Sequence, residues 1–173
     1  MINAAKEVAR TVGHVPFAEA GVIAPIVSGK FVKLAAGTGE QAGETVVKGI
    51  LGSEAAATAD ILGIAADDTE KLPYNGMYEI IDNYFKNGKV AAYVLGGLFT
   101  IWNDGRGAVF ATAADGSSVL NAAPGTPLYI GADGALTKKA DTTATNVGAI
   151  VVGSVIRAPK DADGTLFFKA KGL

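Results

Sequence analysis

Residues 127–137 read Pro-Leu-Tyr-Ile-Gly-Ala-Asp-Gly-Ala-Leu-Thr, and they carry the pattern that decides the fold. Pro127–Ile130 is a short, mostly apolar run of the usual strand length. The Asp133-Gly134 pair that follows it suits a hairpin turn, because aspartate tolerates positive φ and glycine adopts it freely. A strand followed by this turn signal predicts a β-hairpin.

The same arrangement recurs along the chain. Pairs of Asn or Asp with Gly, each suited to a two-residue hairpin turn, separate short runs rich in Val, Ile, Phe and Tyr, which predict strands. The pairs are Asn75-Gly76, Asn87-Gly88, Asp104-Gly105, Asp115-Gly116, Asp133-Gly134 and Asp163-Gly164. The predicted strands are Val22–Val27, Phe31–Ala35, Thr45–Leu51, Ile61–Ala65, Met77–Ile81, Lys89–Leu95, Leu98–Trp102, Ala108–Thr112, Pro127–Ile130, Val147–Arg157 and Thr165–Ala170.

Many short strands with frequent turns are typical of an antiparallel β-sandwich or barrel, and a jelly roll is one topology that fits. We therefore expect a mainly β protein of one domain, with at most one or two short helices. The alanine-rich Ser53–Asp60 is a candidate helix with Ser53 as its N-cap, and a loop is the alternative. Residues 1–14 show no clear element and are predicted to be an N-terminal arm, laid on a neighbour or frayed. Residues 15–173 are then the β domain.

Two predicted strands have apolar residues on both faces. Thr45–Leu51 and Thr165–Ala170 both break the simple alternation of apolar and polar residues. Such strands are covered on both sides. In a small all-β protein, one of those sides is a candidate subunit interface.

Composition and charge exclude several classes of protein. Fifteen Lys and Arg against seventeen Asp and Glu give a formal net charge of −2, so a nucleic-acid partner is not expected. The absence of cysteine removes disulfides and thiol chemistry. The longest apolar run, Val90–Trp102, is shorter than the ~20 residues that cross a bilayer. The first residues lack the apolar core of a signal peptide, so we do not expect secretion through such a peptide. We also do not expect insertion into a membrane.

No motif in the sequence predicts catalysis, a metal or a cofactor. His14 is the one histidine, with no companion motif for a catalytic triad. Asp161-Ala162-Asp163-Gly164 starts like a calcium loop, but Gly172 stands where the loop needs an acidic ligand. Glu79 and Asp82 would share a face only in a helix. We therefore predict no enzyme, no catalytic or metal-binding residue and no cofactor, with a carboxylate hydrolase as a minor alternative.

Three stretches resemble the head decoration, or cement, proteins of tailed bacteriophages. They are Gly125–Thr137, Val147–Ile156 and Ile61–Asp68, and each follows a turn-and-strand pattern that is common in that family. With 80–99 included, the resemblance covers about residues 20–170 in pattern. It implies a β fold and a structural virion protein that binds the outer surface of the capsid, bridges capsomers and has no active site.

The resemblance also implies partners and a location. The major capsid protein is the expected partner, with self-association as a homotrimer or, alternatively, a dimer. The expected location is the virion surface after synthesis in the host cytoplasm. Phe17 and Ile23, with the arm, are candidates for contact with the capsid or a neighbour, and Tyr93 and Trp102 for an oligomer contact. The alternative function is a carbohydrate- or receptor-binding β domain of a phage tail or fibre.

Overall fold

The runs of β-branched and aromatic residues form strands in the computed structural model. It describes residues 2–4, 11–16, 29–36, 42–43, 45–58, 60–65, 89–93, 97–103 and 107–171. The strands are β1 (Ile2–Ala4), β2 (Thr11–Pro16), β3 (Phe31–Ala36), β4 (Thr45–Gly49), β5 (Asp60–Ala65), β6 (Lys89–Tyr93), β7 (Leu98–Trp102), β8 (Pro127–Ile130), β9 (Leu136–Thr137), β10 (Gly153–Arg157) and β11 (Thr165–Ala170). The helical elements in these ranges are two short 3-10 turns, Ala56–Thr58 and Val147–Ala149.

The strands form two antiparallel sheets, which confirms the predicted mainly β, sandwich-like class. One sheet has six strands in the order β1-β7-β11-β10-β8-β9, and the other has five in the order β2-β6-β5-β3-β4. The outer strands of the five-stranded sheet, β2 and β4, come within 8 Å of each other between Cα atoms. This sheet therefore curls towards a barrel.

The N-terminal segment differs from the arm that the sequence predicted. Ile2–Ala4 pairs with β7 at the edge of the six-stranded sheet, and Thr11–Pro16 pairs with β6 at the edge of the five-stranded sheet. Residues that show no clear element in the sequence thus become strands. They do so because they pair with partners more than 70 positions away, which local pattern cannot reveal.

Other sequence predictions differ from the structure in detail. Ala108–Thr112 is not a strand, and Phe110 forms one isolated bridge to Leu136. The predicted helix at Ser53–Asp60 reduces to the 3-10 turn, and Val147–Arg157 is a strand only from Gly153. Three strands, β7, β8 and β11, have the predicted bounds. The predicted strands Val22–Val27 and Met77–Ile81, with the turns at Asn75-Gly76, Asn87-Gly88 and Asp104-Gly105, lie outside the described residues.

The turn at Asp133-Gly134 is wider than the sequence predicted. Gly134 has φ +79°, as expected, but Ile130 pairs with Leu136, so the β8–β9 loop has five residues rather than two. The amide of Ala135 donates to Asp133 Oδ1 at 3.0 Å, and the amide of Gly131 donates to the carbonyl of Ala135 at 2.8 Å. These bonds satisfy polar groups inside the loop, which stabilises it.

One continuous apolar core joins the two sheets. Phe99 and Phe168 are directly paired across β7 and β11, and their ring centroids lie 5.7 Å apart. The five-stranded sheet contributes Phe31 and Ile64 to the same cluster. The buried members of this cluster are Phe31, Ile50, Ile64, Phe99, Ile101, Val109, Phe110, Val119, Leu128, Ile130, Leu136, Val147, Val152, Val155, Leu166, Phe168 and Ala170.

Backbone contacts between glycines lock the loop after β4 against the end of β8. We call Gly52, Ile130, Gly131 and Gly148 the glycine crossing. The amide of Gly52 donates to Gly131 and the amide of Gly148 donates to Gly52, both at 2.8 Å. A Cβ on Gly52 would overlap the carbonyl of Ile130, and one on Gly148 would lie 2.9 Å from the same oxygen. Only glycine fits at these two positions, because backbone occupies the place of a side chain.

The ion pair of Lys33 with Glu54 holds the loop that leads into the crossing. Glu54 Oε1 also accepts a hydrogen bond from the amide of Leu51 at 2.9 Å. Burial, and then the positive charge of Lys48 directly opposite on β4, lower the pKa of Lys33. Glu54 therefore compensates the charge of Lys33 while it orders the backbone before Gly52.

We predict that Gly52→Ala destabilises the protein by about 3 kcal/mol, because the new methyl group collides with backbone that cannot rotate away. Urea unfolding measures the loss. The matched control is Gly116→Ala, where φ is +87° but the space around the glycine is open. That variant should lose only about 1 kcal/mol from the left-handed backbone. Equal losses in the two variants would contradict a steric role for the crossing.

Candidate functional site

The six-stranded sheet has an outer face that is partly apolar. In β7 the buried residues Phe99 and Ile101 alternate with half-buried Leu98, Thr100 and Trp102. Strand β11 alternates in the same way, and its register pairs Thr165 with Trp102, Phe167 with Thr100 and Lys169 with Leu98. We define the outer face as the outward positions of four strands: Leu98, Thr100, Trp102, Pro127, Tyr129, Ser154, Arg157, Thr165, Phe167 and Lys169.

The outer face combines half-buried aromatic side chains with exposed cations. Trp102, Phe167 and Tyr129 are half-buried, whereas Arg157 and Lys169 are exposed. Among the described outer-face positions, the charged side chains are these two cations. Aromatic residues and arginine are enriched where proteins contact each other. The arrangement suits a protein surface that presents both apolar groups and carboxylates.

A shallow groove borders the outer face at the start of β10 and the end of β11. It has a volume of about 230 Å³ and is lined by Val151, Gly153, Ser154, Lys169, Ala170 and Lys171. The amide of Lys171 donates to the carbonyl of Val152 at 2.8 Å, which fixes the backbone on both sides of the groove. Two exposed lysines thus flank a small concave surface, where an acidic side chain of a partner would be attracted.

Trp102 lies at the end of β7, where the neighbouring side chain fixes the local backbone. Asn103 Oδ1 accepts a hydrogen bond from the amide of Val109 at 2.8 Å, and its Nδ2 donates to the carbonyl of Ala162 at 3.4 Å. These bonds tie the end of β7 to the β10–β11 loop. The structure therefore positions Trp102 on a supported corner of the outer face.

Of the other sequence-predicted contact residues, the structure describes only the backbone of Tyr93. Phe17 and Ile23 lie outside the described residues, and Tyr93 is described only as the last residue of β6 in the five-stranded sheet. Phe167 and Lys169 were not singled out from the sequence. The signal that could have found them was the mixed pattern of Thr165–Ala170, whose two partly apolar faces are now assigned to the core and the outer face.

A larger open cleft of about 540 Å³ lies between residues 108–117 and 130–141. Small side chains form much of its wall, and its charged residues are Asp115, Asp133, Lys139 and Asp141. The hydroxyl and then the amide of Ser117 donate to Asp115 and lower its pKa. The amide of Thr143 and the side chain of Asn146 lower the pKa of Asp141. These carboxylates act as local loop caps.

Within the described ranges no group of three or more His, Cys, Asp or Glu is arranged to hold a metal ion. Glu79 and Asp82 lie outside those ranges, and His14 is described there only as a backbone position in β2. In the same part of the chain, no helix has the length and hydropathy of a membrane span. Among the described residues, the surfaces that gather aromatic, polar or charged side chains are thus the outer face and the larger cleft.

Comparison of the chain with protein-family models, curated proteins and solved structures finds no match.

The hydrogen bonds that Asp115 and Asp141 accept in their loops predict that the protein is less stable in acid. Asp115 and Asp141 have folded-state pKa values below 3.8. Their contribution is therefore complete above the unfolded pKa and is lost as pH falls through the lowered folded values. We expect the free energy of unfolding, measured with urea, to decrease as the pH drops below about 4. The decrease should be smaller for the double variant Asp115→Asn/Asp141→Asn. The same dependence on pH in both proteins would contradict this role of the two caps.

Proposed function

We propose that this protein decorates the outer surface of a tailed-bacteriophage capsid and stabilises the capsid by bridging neighbouring capsomers. It acts as a homotrimer, binds the major capsid protein and has no catalytic role. The observation that carries the proposal is the extended outer face, on which aromatic side chains and two exposed cations lie on four paired strands. This surface is suited to contact with a broad protein surface rather than to enclosure of a small substrate.

The positions of the stretches that resemble decoration proteins support the proposal. Gly125–Thr137 contains β8, its loop and β9, and Val147–Ile156 leads through a 3-10 turn into β10. Strand β10 pairs with β8, with Gly153 opposite Leu128. The two longest stretches of resemblance are therefore adjacent parts of one sheet rather than unrelated turns.

The outer face gives the proposed contact a specific chemistry. Phe167 and Trp102 would be covered by apolar groups of the capsid protein, and Lys169 and Lys171 would face its carboxylates. Exposed charges at the rim of an interface guide association and select the partner, while the covered aromatic residues contribute most of the affinity. Modest affinity at one such surface is sufficient, because a trimer bound at several capsid subunits gains avidity.

The first experiment is quantitative mass spectrometry of purified virions. We expect hundreds of copies per particle, in a fixed ratio to the major capsid protein. A few copies per particle would instead support the alternative function, a carbohydrate- or receptor-binding domain of the tail or a fibre. Complete absence from the virion would overturn both structural roles.

The second experiment tests the outer face itself. We expect Lys169→Glu/Lys171→Glu to weaken co-sedimentation with expanded capsids that lack the protein by about tenfold or more, because the new carboxylates would face acidic groups. The control is Lys138→Glu/Lys139→Glu, at exposed positions after β9. Both variants change the formal net charge from −2 to −6, since each substitution contributes −2. Equal weakening by the two variants would contradict a contact through this face.

A further inference from the structure

The first sixteen residues supply an edge strand to each of the two sheets. Strand β1 is the outermost strand of the six-stranded sheet, and β2 is the outermost strand of the five-stranded sheet. Every other pairing among the described strands joins strands from residue 31 onwards. The segment 2–16 can therefore leave both sheets without breaking any pairing among the remaining strands.

The two strands that receive this segment are consecutive in the chain. Strand β2 pairs with β6, and β1 pairs with β7, which begins at Leu98 only a few residues after β6 ends at Tyr93. Segment 2–16 thus contributes one strand to each of the two sheets. Its removal would expose two rows of unpaired N–H and C=O groups, which are templates for another strand.

The identical segment of a second copy would restore every one of those pairings. In the six-stranded sheet it would again place Asn3 opposite Thr100, and in the five-stranded sheet Val12 opposite Ala92. Exchange of an identical element between copies changes few contacts and is a common route to oligomers. Residues 17–28 connect the segment to β3 and can span at most about 40 Å when extended, which is enough to reach a neighbouring subunit.

We infer that segment 2–16 is exchanged between copies, so that each subunit's β1 and β2 complete the two sheets of its neighbour. In a closed ring every subunit gives one segment and receives one, so that β6 and β7 are paired in every subunit. The exchanged segment also ties both sheets of the recipient, because it pairs with one strand in each. This inference rests on the self-association within the proposed function and does not involve the capsid.

Cysteine cross-linking tests the exchange directly, since the chain has no cysteine of its own. Cross-strand Cα atoms in an antiparallel pair lie about 4.5–5.5 Å apart, within the range for a disulfide. Full-length chains carrying Asn3→Cys and Thr100→Cys separately, with tags of different size, are co-expressed, purified and oxidised. On a non-reducing gel we expect a disulfide-linked species that contains both tags, and we expect the Asn3→Cys/Thr100→Cys double variant to form covalent oligomers.

Two controls make the result decisive. Ser154→Cys and Lys169→Cys mark the β10–β11 pairing, which should link only within one chain, so separate chains with these changes should give no mixed species. The pair Val12→Cys and Ala92→Cys repeats the test in the other sheet, in case Asn3→Cys impairs folding. Disulfides confined to single chains at both test pairs, or no disulfide at either, would overturn the exchange. Normal virion stoichiometry with either result would leave the proposed decoration role intact.

Discussion

The glycine crossing is the constraint on which the arrangement of the two sheets depends. At Gly52 and Gly148 the backbones of three distant segments approach so closely that no side chain fits between them. Hydrogen bonds across the crossing join the loop after β4 in one sheet to the end of β8 in the other. The apolar core supplies most of the free energy of burial, but it is not directional. The glycine crossing fixes the relative orientation of the two sheets, because its hydrogen bonds form in only one alignment.

The rigidity of this arrangement determines what the surface can do. Phe99 and Phe168 fill the inner side of the six-stranded sheet, so the alternate residues Thr100, Phe167 and Lys169 must point outwards. The positions of the aromatic and cationic side chains on the outer face are therefore fixed by the same register that builds the core. A preorganised surface loses little conformational freedom on binding, which favours a broad contact made of many modest interactions.

Local sequence pattern predicted the strands that depend on local chemistry. Strands β7, β8 and β11 have apolar runs bounded by turn residues, and their bounds could be predicted. The same pattern could not identify β1 and β2, because their partners lie far along the chain. Trp102 could be suggested as a contact residue because of its type, but Phe167 and Lys169 join it on one face only through the β7–β11 register. The steric role of Gly52 was equally hidden, since it depends on the distant carbonyl of Ile130.

The way in which the sheet edges are covered is relevant to the proposed function on a capsid surface. An open edge strand can pair with any neighbouring chain, a hazard that increases where many copies lie side by side. Strand β9 is protected because Ala111 donates to Leu136 and Leu136 donates to Val109 along its outer side. At the opposite edge the six-stranded sheet ends in β1, and the five-stranded sheet begins with β2. Strand β1 has three residues, and a short edge strand offers few free backbone groups to another chain. Both ends of the six-stranded sheet therefore limit edge pairing, which favours assembly through the outer face.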